Sequence, residues 1–476
     1  MRKSLISIAM FATLSGFAQE KVQCTATTKA GNQCKITAWN NSTLCWRHNP
    51  NYVKKAELTS VICSAKTSVG LPCKTKTKHS DAEKLVRSKL DELIQFRSQT
   101  DDNKEFWGKQ FDLGLAWVQF PEGAGGLGLN PKYQLIITET LRNEGISQQN
   151  RLANILGIGM GAPTIVEYGT QEQIDKYLRP MFTADEIWCQ LFSEPGSGSD
   201  LASLSTKAVD DGDGYIVNGQ KVWTTLGHLS KWGLLVTRTD PDVPKHRGLT
   251  FFIVDMESEG VEVRPLRQIT GEAEFNEVYF TDVKIPKENV LGEVGDGWRV
   301  SLAILMNERV AIGGNVRQRG SGAPGHLVQL WKDRNLDDPV VKDKLVELWI
   351  QQEAVRLTNM RASELREKGT PGPEGSTSKL HEAEINKSSY EFGMEMLGND
   401  GLLFPRGYEL SQPELNFDND SYGFTDTQSL FLRSRANSIE GGTSEIMRNI
   451  IAERVLGLPS EPKLDKDKAW KDLPRS

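Results

Sequence analysis

Cys24, Cys34, Cys45 and His48 have the types and spacing to hold a metal ion. Three thiolates and an imidazole suit the closed tetrahedral shell of structural zinc, and Cys45 and His48 form a CxxH end. The spacing of the first pair recurs at Cys63 and Cys73, where CSAKTSVGLPCK echoes CTATTKAGNQCK, so the segment reads as a small module and a partial copy. The copy lacks its own CxxH because His79 lies too far along. Disulfides account for these cysteines equally well if the module is exported, and neither reading makes them catalytic.

A leader points toward export. Arg2 and Lys3 precede an apolar run from Leu5 to Phe17, and small residues stand before Gln19, the order of a signal peptide over 1–18. No other run approaches the roughly 20 apolar residues of a membrane span. The net charge of −6 argues against a general nucleic-acid binder, and 38% hydrophobic residues supply sizeable cores.

The remaining chain divides by pattern. After the Cys-rich module (19–80), residues 81–190 read as helical, with Leu85, Leu90, Leu93 and Ile94 on one face. Gly123, Gly125 and Gly128 satisfy GxGxxG, but no strand leads in, and the segment reads as a turn. Residues 191–297 carry short β-branched and aromatic runs such as YIVNGQKVW and LTFFIVD, separated by DDGDG and NG turns, which predicts a compact antiparallel unit. Helical patterning resumes over 298–459, where Val341, Leu345, Leu348 and Val355 mark one long amphipathic helix, and a charged tail follows at 460–476.

Two motifs lie in this frame: LFSEPGSGSDLAS followed by NGQKVWTT, and IEGGTSEIMRNIIAERVLGLP near the end. In order and separation they closely resemble the FAD-dependent acyl-CoA dehydrogenases over about four fifths of the chain. The resemblance implies an α+β multidomain fold: an N-terminal helical domain, a central antiparallel β-barrel and a C-terminal four-helix bundle. It also implies FAD, an acyl-CoA substrate, an electron-transfer flavoprotein or similar acceptor, and a homodimer, homotetramer or heteromer. The expected reaction takes an acyl-CoA to its trans-2-enoyl-CoA: a carboxylate removes the α-proton while the hydride from Cβ passes to the flavin.

Residue by residue, the resemblance puts the catalytic base in one of two places. Many members carry a Glu just before Gly-Thr in the last motif; that slot is Gly441 here, with Glu440 one residue earlier. Isovaleryl-type members place it on the first bundle helix, where MNERVAIGG aligns Glu308, so Glu308 is the expected base and Glu440 the runner-up. Arg309 beside it is the ion-pair alternative or a substrate contact. Leu191, Ser193, Trp223 and Thr225 match positions that contact the flavin ring, although Trp223 alone would read as hairpin core. Ser199 matches a residue lining the CoA-side cleft. Arg334 matches a diphosphate-binding Arg, and Gly398 and Gly401 a pyrophosphate-binding turn. The unusual RNLDDP and LGNDG, and the long stretch between Gly401 and Arg433, resemble members acting on bulky or branched chains, including steroid side chains.

The leader leaves location open, since the family is expected in the cytoplasm. It also leaves open an exported binding protein built around the cysteine module on a silent scaffold, a non-catalytic partner subunit, and a foreign N-terminal fusion.

Overall fold

The computed structural model describes residues 74–313, 316–367, 374–414, 424–462 and 465–474. The expected leader at 1–18, and Cys24, Cys34, Cys45 and His48, lie outside the described residues, as does the side chain of Arg309. The chain forms two compact units, Met1–Arg87 and Ser88–Ser476. Of the first, the described part is helical, with Arg87 paired to Glu83 one turn earlier at 2.8 Å.

The helices before the sheet are α1 (Lys74–Arg97), α2 (Asn103–Asp112), α3 (Tyr133–Asn143), α4 (Gln149–Ala153), α5 (Ala162–Tyr168) and α6 (Gln171–Phe182). A π-helical turn, Gly157–Gly161, precedes α5. Helix α1 begins seven residues before the expected boundary at 81, so the helical block reaches back into the segment assigned to the cysteine module. Leu90 and Leu93 are buried as their spacing predicts, whereas Leu85 is exposed. Thr170 and Gln173 close a capping box on α6, satisfying two backbone N–H groups that the helix start leaves without partners. The glycine-rich segment is a turn: Gly123, Gly125 and Gly128 all adopt positive φ.

Seven strands follow: β1 (Trp188–Leu191), β2 (Lys207–Asp210), β3 (Gly214–Thr225), β4 (Trp232–Arg238), β5 (Leu249–Asp255), β6 (Val261–Pro265) and β7 (Phe275–Pro286). They form a curled half-barrel in the order β1-β4-β2-β3-β7-β6, with β5 on β4. The pairing is antiparallel as expected except at β4, to which both β1 and β2 run parallel. Strand β4 shares one edge between two partners: β1 pairs with Trp232–Leu235, and Lys207 of β2 bridges to Arg238. Between those contacts the chain leaves the sheet as the SEPGSGSD loop. Leu191, Val217, Leu235, Phe252, Val254 and Val278 are among the residues filling the sheet core.

Beyond the sheet come α7 (Gly297–Gly313), α8 (Ala323–Asp333), α9 (Pro339–Glu367), α10 (Glu374–Leu397), α11 (Thr427–Ser434) and α12 (Ser444–Ile450). Leu345, Leu348 and Val355 are buried on α9, and Leu327, Leu345, Leu348 and Met396 form the bundle core. Helix α7 packs against β4 and β5, against α5 and its π-turn, and against α10, so one helix touches all three blocks. Among the described residues no helix is long and apolar enough to cross a membrane.

Candidate active site

The sheet side is set by a β-bulge. Pairing between β3 and β7 shifts register between Lys221 and Thr224, and Trp223 takes φ 63°, a conformation costly for a bulky residue. The bulge turns the Trp223 indole outward, leaving it 57% exposed with the edge of Phe275 at 5.9 Å. Trp223 is therefore not hairpin core. The Val222 N–H donates to Ser193 O at 2.9 Å, which joins the end of β1 to the bulge and gathers Leu191, Ser193, Trp223 and Thr225 on neighbouring backbone.

Beneath this face lies an ion pair taken out of water. Lys221 is 0% exposed; its Nζ donates to Glu194 Oε1 at 2.8 Å and to Phe192 O at 3.0 Å. Glu194 also accepts from the backbone N–H groups of Ser205 and Thr206 at 2.6 and 2.9 Å. Burial alone would raise the Glu194 carboxyl, but the Lys221 charge and these hydrogen bonds hold it below the usual range. The pair fixes both limbs of the SEPGSGSD loop to β3.

The helical side presents Glu308. On α7, Ser301 and Ile304 are fully buried while Leu302 and Met306 are exposed, so helical spacing carries Glu308, four residues past Ile304, onto the inward face. The Glu308 carboxylate approaches the turn before α12, where Gly441 and Gly442 have φ 61° and 94° and Thr443 caps the helix through Ile446 N–H. A Cβ built on Gly441 would lie 3.4 Å from Glu308 Oε1 and 3.9 Å from Lys379 Cε. Glu308 thus occupies the space into which a side chain at 441 would project.

Glu440 is engaged elsewhere. Arg433 donates to both its carboxylate oxygens at 3.0 and 2.9 Å, and Asn437 Nδ2 donates at 2.8 Å. Arg433 also pairs with Glu274 of the segment entering β7 at 3.3 Å and lies over the Phe275 ring. Burial raises the Glu274 carboxyl despite this partner. Lys379 on α10 donates to Asn437 O and Gly442 O, holding both ends of the same turn. Burial draws Lys379 below the ordinary lysine range, against the opposing pull of Glu440, Glu308, Glu384 and Glu445.

Away from these two walls, Arg334 and the glycine turn meet. Arg334 Nη1 lies 2.9 Å from Asp400 Oδ2, and its Nη2 donates to Leu397 O at 3.4 Å. Gly398 adopts φ 57° with open space where a Cβ would stand, and Gly401 is buried against Met394 O. Ser199 sits exposed on the SEPGSGSD loop beside Gly198, whose Cβ position is also open.

The acyl-CoA dehydrogenase N-terminal, middle and C-terminal domains match residues 77–185, 189–283 and 295–456. Acyl-CoA dehydrogenase IpdE1 of Mycobacterium tuberculosis is 37% identical over 364 residues, covering 76% of this chain and 90% of that protein. The chain belongs to the acyl-CoA dehydrogenase family. Acyl-CoA dehydrogenase FadE34 of the same organism is 40% identical over 351 residues, 73% of this chain but 45% of its own length, so the chain spans less than half of that relative. Among solved structures, the ChsE4-ChsE5 complex from M. tuberculosis superposes with TM-score 0.59 and 28% identity, covering 80% of this chain and 98% of that one.

FAD is the cofactor expected of an acyl-CoA dehydrogenase, and the sheet wall fits a flavin ring: an outward indole beside the adjoining main chain of Leu191 and Ser193. The diphosphate side fits less simply, because Asp400 already holds Arg334. Among the described residues no group of three His, Cys, Asp or Glu could hold a metal, and the expected zinc or disulfide residues Cys24, Cys34, Cys45 and His48 lie outside them.

Sequence reading passed over Lys221, Lys379, Arg433 and Glu274. Lys221 was open to discovery, because strand alternation from Tyr215 and Val217 puts it on the core face, where a lysine demands a partner. Lys379, Arg433 and Glu274 meet only through tertiary packing, and no spacing announces them.

Proposed function

We propose that this acyl-CoA dehydrogenase desaturates an acyl-CoA thioester between Cα and Cβ, with Glu308 as the base. The observation that carries this reading is the 3.4 Å separation between Glu308 Oε1 and the Cβ position of Gly441. The slot that holds a base in many relatives is empty of side chain here, and a carboxylate from α7 fills the same space. Glu440, bound by Arg433 and Asn437, serves the turn instead. Glu308 accepts the α-proton, the Cα–H electron pair becomes the new π bond, and the Cβ–H pair departs as hydride. Bound FAD supplies the acceptor for that hydride. Leu191, Ser193, Trp223 and Thr225 orient the ring, and Lys379 keeps the Gly441 turn in register with Glu308.

The substrate class we favour is a branched or bulky acyl chain, on the strength of the base position and the altered RNLDDP and LGNDG segments. The electrons then pass to an electron-transfer flavoprotein or similar acceptor. Assembly with further subunits, of this or a related chain, is part of the proposal; the ChsE4-ChsE5 neighbour is itself a complex of two proteins. The test is anaerobic: the purified protein should carry a flavin absorbance band, and a branched acyl-CoA should bleach it. A protein that stays colourless after reconstitution with FAD, or a band that no acyl-CoA bleaches, would sink the reading.

A further inference from the structure

Residues 465–474 lie past position 456, where the match to the family's C-terminal domain ends. They are nevertheless bound closely to the β-sheet domain. The Trp470 backbone N–H donates to Val243 O at 2.9 Å and that of Lys471 to Pro241 O at 3.0 Å, while Ala469 bridges to Pro244. Lys471 pairs with Asp242 at 2.7 Å. Lys245 pairs with Asp465 on this segment and, at 2.8 Å, with Asp200 on the SEPGSGSD loop.

The centre of the attachment is Arg238, the last residue of β4, only 3% exposed. Its guanidinium donates to Lys245 O at 2.7 Å and to the carbonyls of Ala202 and Leu204. One planar fork thereby ties the loop between β4 and β5 to the returning limb of the SEPGSGSD loop. The indole of Trp470 covers the face of that fork, with the ring centroid 4.6 Å from Arg238 Cζ, and its Nε1 donates to Ser203 O at 3.3 Å. A guanidinium covered in this way keeps water from competing for the three carbonyls. The tip is carried on that limb: Ser197 is buried and donates to Asp200 O at 2.7 Å, and Gly198 and Ser199 between them are exposed.

We propose that Trp470 is a positioning residue that, through Arg238, holds the Gly198–Ser199 tip where it receives the extended arm of the thioester substrate. The inference rests on the acyl-CoA reading above. Trp470 binds Arg238, Ser203 and Val243, on the end of β4 and the loops beside it, so its removal loosens substrate capture and leaves the chemical step alone.

The experiment compares two thioesters of one acyl group, an acyl-CoA and the acyl-N-acetylcysteamine, which keeps the reacting carbons and sulfur but lacks the long arm. In Trp470→Ala the KM for acyl-CoA rises about tenfold, equivalent to about 1.4 kcal/mol. Its kcat stays within about twofold, and the KM for the short thioester is unchanged. Trp470→Phe, which keeps a ring over Arg238, restores KM to within about threefold of the unmodified protein. Should Trp470→Ala fail to fold, Trp470→Leu carries the same expectation. An unchanged KM, an equal rise for both thioesters, or a fall in kcat alone would overturn the role of Trp470. Failure of the unmodified protein to turn over either thioester would instead overturn the dehydrogenase reading beneath it.

Discussion

The wall of the site built on the sheet and the wall built on the helices are both held by paired charges, but in opposite surroundings. On the sheet side, Lys221 and Glu194 are out of water, and the backbone N–H groups of Ser205 and Thr206 complete the carboxylate. On the helical side, Arg433 and Glu440 remain 25% and 37% exposed, where water and salt screen the attraction. A buried pair tolerates the loss of neither partner, because the survivor is left charged in a dry interior. A half-exposed pair can be rebuilt. The difference runs alongside the sequence: the loop over the buried pair is the SEPGSGSD motif, whereas the turn over the part-buried pair carries Gly441.

The sharpest way to break this comparison is to remove Glu308, the base proposed above, from the helical wall. In Glu308→Gln the shape is kept and the proton acceptor lost, so kcat falls about a thousandfold, within the range general bases contribute. FAD content is expected to be unchanged, because Glu308 lies on α7 and not on the strands that carry Leu191, Trp223 and Thr225. Single-turnover bleaching of the flavin band measures the step directly. A fall of less than tenfold would move the base to another residue, and Glu440→Gln would be the next variant to assay.

On the sheet side the expected loss is of stability. Lys221→Met leaves Glu194 buried without its cation and costs about 3–5 kcal/mol, read by urea denaturation at neutral pH. The pH dependence follows from the lowered Glu194 carboxyl: its contribution is present above the unfolded value of 4.5 and is lost as pH falls through the lower folded value. Unmodified protein therefore loses stability in acid below about pH 4.5, and the double variant Glu194→Gln/Lys221→Met flattens that slope. Equal acid sensitivity in the double variant would remove Glu194 from the explanation.

What was legible in the sequence follows the same division. Turn chemistry, alternation and helical spacing outlined three blocks because each is a local property of the chain, and the motif in LFSEPGSGSD carried Leu191 and Ser193 to the wall they occupy. Alternation also contained Lys221, had the charge on the core face been followed up. Strand pairing was harder to read: β1 lies parallel to β4 because a long excursion separates it from β2, and no local pattern encodes that choice. The partners of Glu440 were hidden for a related reason. Its neighbours in sequence suggest a displaced base, but Arg433 reaches it from the preceding helix, and Glu274 fixes Arg433 from the sheet. Trp470 lay in what reads as a charged tail, and its partner Arg238 is more than two hundred residues away.

Glu440→Gln should then be the milder lesion. The part-buried, water-screened pair contributes on the order of 1 kcal/mol, and the turn keeps Lys379 on its carbonyls. We expect kcat to fall less than tenfold, with the loss growing in low salt and shrinking in high salt, measured as steady-state turnover across ionic strength. A salt-independent loss as large as that of Glu308→Gln would erase the contrast between the two carboxylates.

The smallest effect is expected where Arg334 meets Asp400. If Arg334 binds a diphosphate, as the resemblance implies, a carboxylate at 2.9 Å competes for it, and the pair is exposed enough that its cost is modest. Asp400→Asn releases the cation while keeping the turn between Gly398 and Gly401, so FAD should be retained about threefold more tightly, with steeper weakening as salt is raised. Fluorescence of released flavin on dilution gives the Kd. If Asp400→Asn binds FAD more weakly, Asp400 is orienting the guanidinium rather than competing for it, and an exposed pair away from both walls then positions a group just as the buried pair of the sheet wall does.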